Sequence, residues 1–285
     1  MRGRFGQAVL APNRRFRVQN WLIETPLWGA RPSLRIAVIS DLHWGFAHVS
    51  TPWVHKVKTR VMALAPDVIV FLGDISAGRS LQARIANVAP GAAALDGMSA
   101  PLGCYAVLGN HDWHDDLSAQ ARRRGPIFAS SQLEGAGFHM LANTAIRPER
   151  QDIWLAGLDS QQAFKGRKGE PRRLGADDLA ATLRAAPGDD PIILLAHEPD
   201  IFPDIEDPRV VLTLSGHMHA GQIRPFGRAL YAPSQYGTRF DYGHFENEGR
   251  HLIVSGGLGC STVPLRIGIV PEITLIECRG PSSSP

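Results

Sequence analysis

The chain has 285 residues, of which 44% are hydrophobic and 20% are charged, and its formal net charge is +3. This is the composition of an ordinary globular protein with enough apolar residues for a sizeable core, and no apolar run approaches the roughly 20 residues of a membrane span. Its three cysteines lack CxxC spacing, which argues against a disulfide framework or a zinc–thiolate site and indicates reduced thiols in a cytosol-like compartment.

The start of the chain is strongly basic, since residues 1–40 contain seven arginines against Glu24 alone. Residues 1–30 also hold four aromatic side chains, and we interpret them as an N-terminal arm. One possible role of the arm is contact with an anionic membrane or an acidic ligand. The alternative, which we favour, is a solvated leader followed by an edge strand. Arg14-Arg15-Phe16 is similar to a twin-arginine export motif, but polar residues follow where an apolar segment should stand. We therefore predict a cytoplasmic protein, peripheral on the inner face of the membrane if the arm binds lipid.

Apolar runs alternate with helical stretches through the first half of the chain. The pattern predicts strands over Leu34–Ser40, Asp67–Leu72 and Cys104–Leu108, and helices from Thr51 to about Leu64 and over about residues 79–96. Thr51-Pro52 supplies an N-cap followed by proline at the first helical position. This repetition predicts βαβ crossovers and a largely parallel first sheet.

After Gly137 the strands are shorter and fewer helices separate them. Predicted strands cover Phe138–Leu141, Ile153–Ala156, Ile192–Ala196, Val210–Leu214, Leu252–Ser255 and Ile273–Ile276, with one helix over about Ala176–Ala185. These strands predict a second, mixed sheet and an α/β protein (α+β by some schemes). We expect a single domain over residues 31–279 and a disordered tail over residues 280–285. The basic segment Lys165–Arg173 is interpreted as a mobile, solvated loop in preference to a phosphate-facing flap.

Five short polar motifs follow apolar runs: Asp41-Leu42-His43, Gly73-Asp74, Gly109-Asn110-His111-Asp112, Ala196-His197-Glu198 and Ser215-Gly216-His217-Met218-His219. Ligands gather outside the carboxyl ends of strands in open α/β sheets, so we expect these motifs to meet at one edge. They supply two carboxylates, one amide and four imidazoles, with His111 in reserve. This set suits two neighbouring divalent cations and a hydrolase of phosphate esters.

The spacing within the motifs suggests how the ligands divide. Asp41-x-His43 predicts two side chains on the same side of an extended segment, because strand side chains alternate. His217-x-His219 has the same spacing, but a turn there can aim each imidazole at a different metal. Asp74 can bridge the pair through its two oxygens, and Asn110 offers a neutral carbonyl oxygen. Trp44 and Trp113, next to these ligands, either wall the substrate pocket or pack in the core.

The motif order over residues 41–219 resembles the calcineurin-like metallophosphoesterases, with every element present. The ending Gly216–Ile223 is similar to a bacterial predicted-phosphohydrolase branch of the family that more often reads GHTHGGQ, so Met218 and Ala220 are departures. The resemblance implies a four-layer αββα sandwich of two mixed sheets flanked by helices, with the metal site at the strand carboxyl edge. Many members of this branch are membrane-associated, and some relatives cleave the pyrophosphate of UDP-diacylglucosamine.

The resemblance also implies the roles of the site residues. The first metal goes to Asp41, His43, Asp74 and His219, and the second to Asp74, Asn110, His197 and His217. His111 becomes the proton donor or phosphate-contacting histidine, and Asp112 orients it. Nitrogen and oxygen ligands without thiolate suit manganese, iron or zinc; we expect manganese or iron, with zinc as the alternative.

The expected reaction is in-line attack by a metal-bridging hydroxide on a phosphodiester, pyrophosphate or phosphomonoester bond, without a phosphoenzyme. Two cations, two carboxylates and the hydroxide balance a singly charged phosphate, which favours diesters or pyrophosphates in a lipid- or nucleotide-linked substrate. Two other classes stay open, a catalytically silent metal-binding interaction module and a nuclease or protein phosphatase. Nucleic acid is not favoured as a partner because the chain beyond the basic start is net acidic.

Overall fold

The computed structural model describes residues 8–10, 15–45, 48–77, 87–149, 151–171 and 173–281. Its strands are β1 (Ala8–Leu10), β2 (Arg17–Glu24), β3 (Leu34–Ile39), β4 (Val68–Phe71), β5 (Cys104–Ala106), β6 (His139–Met140), β7 (Thr144–Ile146), β8 (Trp154–Leu158), β9 (Phe164–Lys165), β10 (Arg173–Leu174), β11 (Ile192–Ala196), β12 (Val210–Ser215), β13 (Gly243–Asn247), β14 (Arg250–Val254), β15 (Leu265–Ile267) and β16 (Glu272–Arg279). Its helices are α1 (Thr51–Ala63), α2 (Ala89–Ala93), α3 (Asn110–Asp115), α4 (Leu117–Arg122), α5 (Phe128–Gly135) and α6 (Leu179–Arg184).

Two six-stranded sheets form the centre of the fold. The first has the order β2-β16-β3-β4-β5-β6, and the second has the order β13-β14-β12-β11-β8-β7. In the first sheet, β3 to β6 run parallel and β16 is antiparallel to β3. In the second, β8, β11, β12 and β14 are parallel, with antiparallel strands at both edges. Both sheets are therefore mixed.

Alternation along β3 shows how the layers stack. Ile36 and Val38 point into a buried cluster shared with Leu195 and Leu214 of the second sheet. Ala37 and Ile39 point the other way, into a cluster with residues of α1 such as Val57. A strand buried on both faces has to be almost continuously apolar, as this one is.

A third cluster covers the far face of the second sheet, where Leu194 and Ala196 contact Phe202 and, at its margin, Leu179 of α6. The layers are thus helix, sheet, sheet, helix, and the expected αββα sandwich is confirmed. None of the described helices has the length and hydropathy needed to cross a bilayer.

The sequence prediction placed two strands in the wrong sheet. Ile273–Ile276 and Phe138–Leu141 were expected in the second sheet, but β16 lies between β2 and β3, and β6 pairs with β5. Hydrophobic pattern locates a strand but not its neighbour, because pairing depends on the whole chain path. The predicted helix over residues 79–96 appears only as Ala89–Ala93, since residues 78–86 lie outside the described part of the chain. The first long helix begins at Thr51 as expected, although its N-cap is Ser50.

Residues 15–30 belong to the first sheet and its core. All eight residues of β2 pair in parallel with β16, and Trp28 is fully buried. The arm drawn over residues 1–30 therefore includes an edge strand, the arrangement favoured above. Residues 1–7 and 11–14 and the tail from residue 282 lie outside the described residues.

Candidate metal centre

The predicted ligands sit where strands of both sheets end. Asp41 and Asp74 follow β3 and β4, and Asn110 opens α3 just after β5. From the second sheet, His197 follows β11, and the segment with His217 follows β12. The backbone N–H of His217 donates to Asp41 Oδ1 at 3.0 Å, so the two sheets meet at this edge.

The backbone at the predicted ligands is left-handed, with φ of 54° at Asp41, 50° at His43, 58° at Asp74, 66° at His217 and 48° at His219. Non-glycine residues rarely adopt this region, and such strain concentrates at functional sites. Strand alternation was expected to place Asp41 and His43 on the same side. That reason is wrong, because both residues lie in a turn after β3 has ended. The turn aims both side chains at the same cluster.

The first group of possible ligands contains Asp41, His43 and His219, whose ligand atoms lie within 4.8 Å of one another. His43 Nε2 lies 2.9 Å from His219 Nε2, and His219 Nε2 lies 3.6 Å from Asp41 Oδ1. Three nitrogen and oxygen donors aimed at one point are what a borderline divalent cation requires.

The second group contains Asp74, His197 and His217, whose ligand atoms also lie within 4.8 Å of one another. His197 Nδ1 lies 2.6 Å from the carbonyl of Leu72, and His217 Nε2 lies 3.2 Å from the carbonyl of Pro233. A carbonyl oxygen can only accept a hydrogen bond, so the ring nitrogens facing these carbonyls carry the proton. His197 Nε2 and His217 Nδ1 then hold the lone pair of the neutral ring, an arrangement usual for metal-binding imidazoles. The two histidines of His217-x-His219 thus face different groups.

Asp74 lies between the groups. Its Oδ2 is 3.8 Å from His43 Nε2 and 3.2 Å from His197 Nε2, while its Oδ1 accepts the backbone N–H of His111. Asn110 adds a buried Oδ1 that accepts no hydrogen bond from any described residue. A buried carbonyl oxygen without a donor is costly, and a hard cation would satisfy it.

Burial sets the protonation of the imidazoles. It lowers the pKa of His43 and of His217 to about 3, so both rings are neutral and keep a lone pair for a cation. At His197 burial acts the same way, but the neighbouring Asp74 carboxylate overrides it and raises the pKa well above the usual value. Protons and cations therefore compete for the space between Asp74 and His197.

Asp112 has a different position from the one expected. Its carboxylate accepts the backbone N–H groups of Asp74, Ser76 and Gly109 at 2.8–2.9 Å, and its side chain is buried. These bonds hold the loop after β4 against the loop after β5. These contacts support a role of Asp112 in fixing these loops, and its predicted orientation of the His111 ring stays a prediction.

Replacing Asp112 by alanine is expected to lower the free energy of unfolding by about 3 kcal/mol, because three buried N–H groups lose their carboxyl acceptor. Asp112→Asn keeps one carbonyl oxygen and should lose less. Urea unfolding of both variants measures the difference. If Asp112 acted only on His111, activity would fall while the unfolding midpoint stayed at the wild-type value.

Arg266 was missed in the sequence, where nothing distinguishes it from a surface arginine. It is fully buried and donates to the carbonyls of Gly256 and Gly259, with Nη2 3.3 Å from His219 Nδ1. Burial and then the nearby His43 and Arg266 lower the pKa of His219 well below its ordinary value. Burial, with these two neighbours, thus keeps this imidazole neutral.

A cavity of about 790 Å³ opens over the cluster. Its lining includes polar and charged residues, among them Asn110, His111, His114 and Lys165, and apolar residues, among them Ile223, Leu230, Tyr231 and Val263. Lys165 places part of the basic loop at the cavity, where a solvated loop was favoured. Trp113 instead packs in the core and donates to Asp159, and Trp44 packs at its edge.

The residues present fit a pair of divalent cations. Two groups of buried nitrogen and oxygen donors share Asp74 as a neighbour, and Asn110, whose side-chain oxygen is unsatisfied, lines the same cavity as Asp74 and His217. A two-sheet sandwich that carries such a cluster at its strand ends has the architecture of a metallophosphoesterase. The chain belongs to the calcineurin-like phosphoesterase family, whose family model matches residues 34–221.

Relatives of this chain carry the same family name. It is 32% identical over 241 residues to the metallophosphoesterase YkuE of Bacillus subtilis, covering 82% of this chain and 76% of that protein, which confirms the predicted bacterial branch. It is 30% identical over 250 residues to a transmembrane protein with metallophosphoesterase domain from Danio rerio, covering 86% of this chain. The chain spans only 53% of the length of that relative.

A third relative has a named substrate. The chain is 28% identical over 299 residues to the UDP-2,3-diacylglucosamine pyrophosphatase LpxG of Chlamydia trachomatis. The similarity covers 86% of this chain and 83% of that protein.

Proposed function

We propose that this chain is a dinuclear metal-dependent hydrolase that cleaves a phosphodiester or pyrophosphate bond in a lipid- or nucleotide-linked substrate. The observation that carries the proposal is that the segments after four strands, β3 and β4 of one sheet and β11 and β12 of the other, bring two groups of donors together around Asp74. One cation would be held by Asp41, His43, Asp74 and His219, and the other by Asp74, Asn110, His197 and His217. When bound, such a pair supplies Lewis acidity toward phosphate oxygens and a nucleophile at neutral pH. We propose manganese or iron, with zinc as the alternative.

The remaining side chains position the substrate and move protons. His111 is half-buried at the cavity with its ring 5.0 Å from the His43 ring, so it can give a proton to a leaving oxygen. Lys165 brings a positive charge to the same cavity, where it can bind phosphate oxygens. Asp112 keeps the loops that carry Asp74 and Asn110 in register.

The cavity supports an amphiphilic substrate. Its polar lining residues can bind the phosphate, and its apolar lining residues suit a hydrocarbon or sugar-lipid group. The LpxG relative is named for a pyrophosphate bond in a lipid substrate, which agrees with the preference for diesters and pyrophosphates.

A panel of phosphate esters tests the proposal. The metal-free protein would be loaded with manganese, iron or zinc and assayed with bis(p-nitrophenyl) phosphate, UDP-linked lipids and cyclic nucleotides. We expect metal-dependent diester hydrolysis and about two bound metal ions per chain by elemental analysis. A folded protein that binds no metal and hydrolyses none of these esters would instead be an interaction module.

Replacing His111 by alanine should affect poor leaving groups most. An alkoxide needs a proton as it departs, whereas p-nitrophenolate does not. We expect turnover of an alkyl phosphodiester to fall about a hundredfold and turnover of bis(p-nitrophenyl) phosphate to fall much less. Equal losses on both substrates would show that His111 binds phosphate and does not donate the proton.

A further inference from the structure

Leu230, Tyr231 and Val263 are exposed residues of the cavity lining, and Phe226 lies on the loop between Ile223 and Leu230, both of which line the cavity. Phe226 is 91% exposed, Leu230 71%, Tyr231 72% and Val263 43%. We call these four residues the apolar rim. We propose that the apolar rim docks on an anionic lipid bilayer, with Phe226 entering the membrane interface and Arg228 at the level of the lipid headgroups.

The backbone that presents Phe226 is fixed. Ile223 forms a bridge with Ile267, and the guanidinium of Arg224 bonds Asp241 at 2.6 Å and the carbonyls of Ala220 and Gly227 at 2.9 Å. Phe226 itself has φ of 56°, a conformation that a bulky residue rarely adopts. The strained backbone of Phe226 lowers stability, and its almost fully exposed ring gains little packing from the described part of the chain in return. This combination points to a binding partner that covers the ring.

The charge around the apolar rim suits anionic lipid. Residues 222–240 contain three arginines and no acidic residue. Arg224 is paired with Asp241, whereas Arg228 and Arg239 are exposed. Aromatic and aliphatic side chains next to arginines are the composition of surfaces that bind at a membrane interface.

The position of the apolar rim favours a bilayer over a protein partner. Leu230, Tyr231 and Val263 also line the cavity, so a protein bound there would close the entrance to the cluster. A bilayer can cover the same residues and deliver an amphiphile into the cavity, whose lining includes these apolar side chains.

Sedimentation with vesicles tests the proposal on the full, metal-loaded chain. Vesicles of phosphatidylcholine with and without phosphatidylglycerol would be compared, and we expect binding to the anionic vesicles. Asparagine tolerates the backbone conformation of Phe226, and Phe226→Asn should weaken that binding about tenfold. Arg228→Gln should weaken it about fivefold. Phe128→Asn and Arg60→Gln, at exposed positions of α5 and α1, should bind like the wild type.

The readout does not depend on turnover, so it is separate from the proposed function. Hydrolysis of soluble bis(p-nitrophenyl) phosphate should stay unchanged in all four variants, since none of them lines the cavity or the cluster. Wild-type binding that is equal with and without phosphatidylglycerol, or unaltered in Phe226→Asn, overturns the proposal. So does a wild-type dimer in light scattering that Phe226→Asn dissociates, because the rim would then bind a second copy.

Discussion

Replacing Asp74 by asparagine is expected to lower the kcat/KM of a soluble phosphodiester about a thousandfold or more. Asp74 is the carboxylate that reaches toward both donor groups, with Oδ2 3.8 Å from His43 Nε2 and 3.2 Å from His197 Nε2. The amide removes a negative charge and one acceptor oxygen from the point where both cations would be held. A loss of several kcal/mol of transition-state stabilisation corresponds to this factor.

His217→Ala should cause a comparable loss, with at least one of the two metal ions missing by elemental analysis. Asp189→Asn and His55→Ala are matched controls, because both side chains are exposed and lie outside the cavity lining. Steady-state kinetics at saturating manganese measure the effect. Full activity in both Asp74→Asn and His217→Ala would rule out the metal centre proposed here.

Gly109→Ala should produce a large loss of stability, about 3 kcal/mol in the free energy of unfolding. A Cβ at this position would overlap Oδ1 of Asp74 and lie 2.7 Å from the Asp74 backbone nitrogen. Gly73, with φ of 90°, faces Gly109 from the end of β4, so neither loop has room to retreat. Thermal or urea unfolding of the metal-free protein measures the loss.

Gly135→Ala provides the control for this substitution. Gly135 ends α5, and a Cβ there meets nothing within 4 Å. Alanine should therefore leave stability unchanged or raise it by up to about 1 kcal/mol. If Gly109→Ala changed the free energy of unfolding no more than Gly135→Ala does, the close packing of the two loops would not be what holds Asp74 in place.

The sequence predicted the convergence of the site because the relevant rule is local. A polar motif that directly follows a buried parallel strand lies at the carboxyl edge of its sheet, and Asp41, Asp74, Asn110, His197 and His217 all do so. Each strand is a short apolar run, which pattern alone can locate. The predicted division of His217 and His219 between two metals depended only on a turn between them. The left-handed backbone at both residues forms that turn, and the two side chains lie in different donor groups.

What the sequence could not predict depends on contacts between distant segments. Arg266 resembles any surface arginine until the fold buries it beside His219. Lys165, Leu230 and Tyr231 reach the cavity through loops whose paths no periodicity encodes. Likewise, Asp112 follows His111 directly and was expected to serve that ring, yet its partners are backbone amides that only the tertiary structure brings near.

The place of β16 has a consequence for synthesis on the ribosome. β3, which leads into Asp41 and His43, pairs on one side with β4 and on the other with β16, whose residues 272–279 are translated about 230 residues after those of β3. Until that strand emerges, the nascent chain exposes an unpaired apolar edge at Leu34–Ile39, a surface prone to mispairing. Premature termination before residue 272 should therefore yield aggregates rather than a partly active enzyme, even though all seven predicted ligands would already have been made.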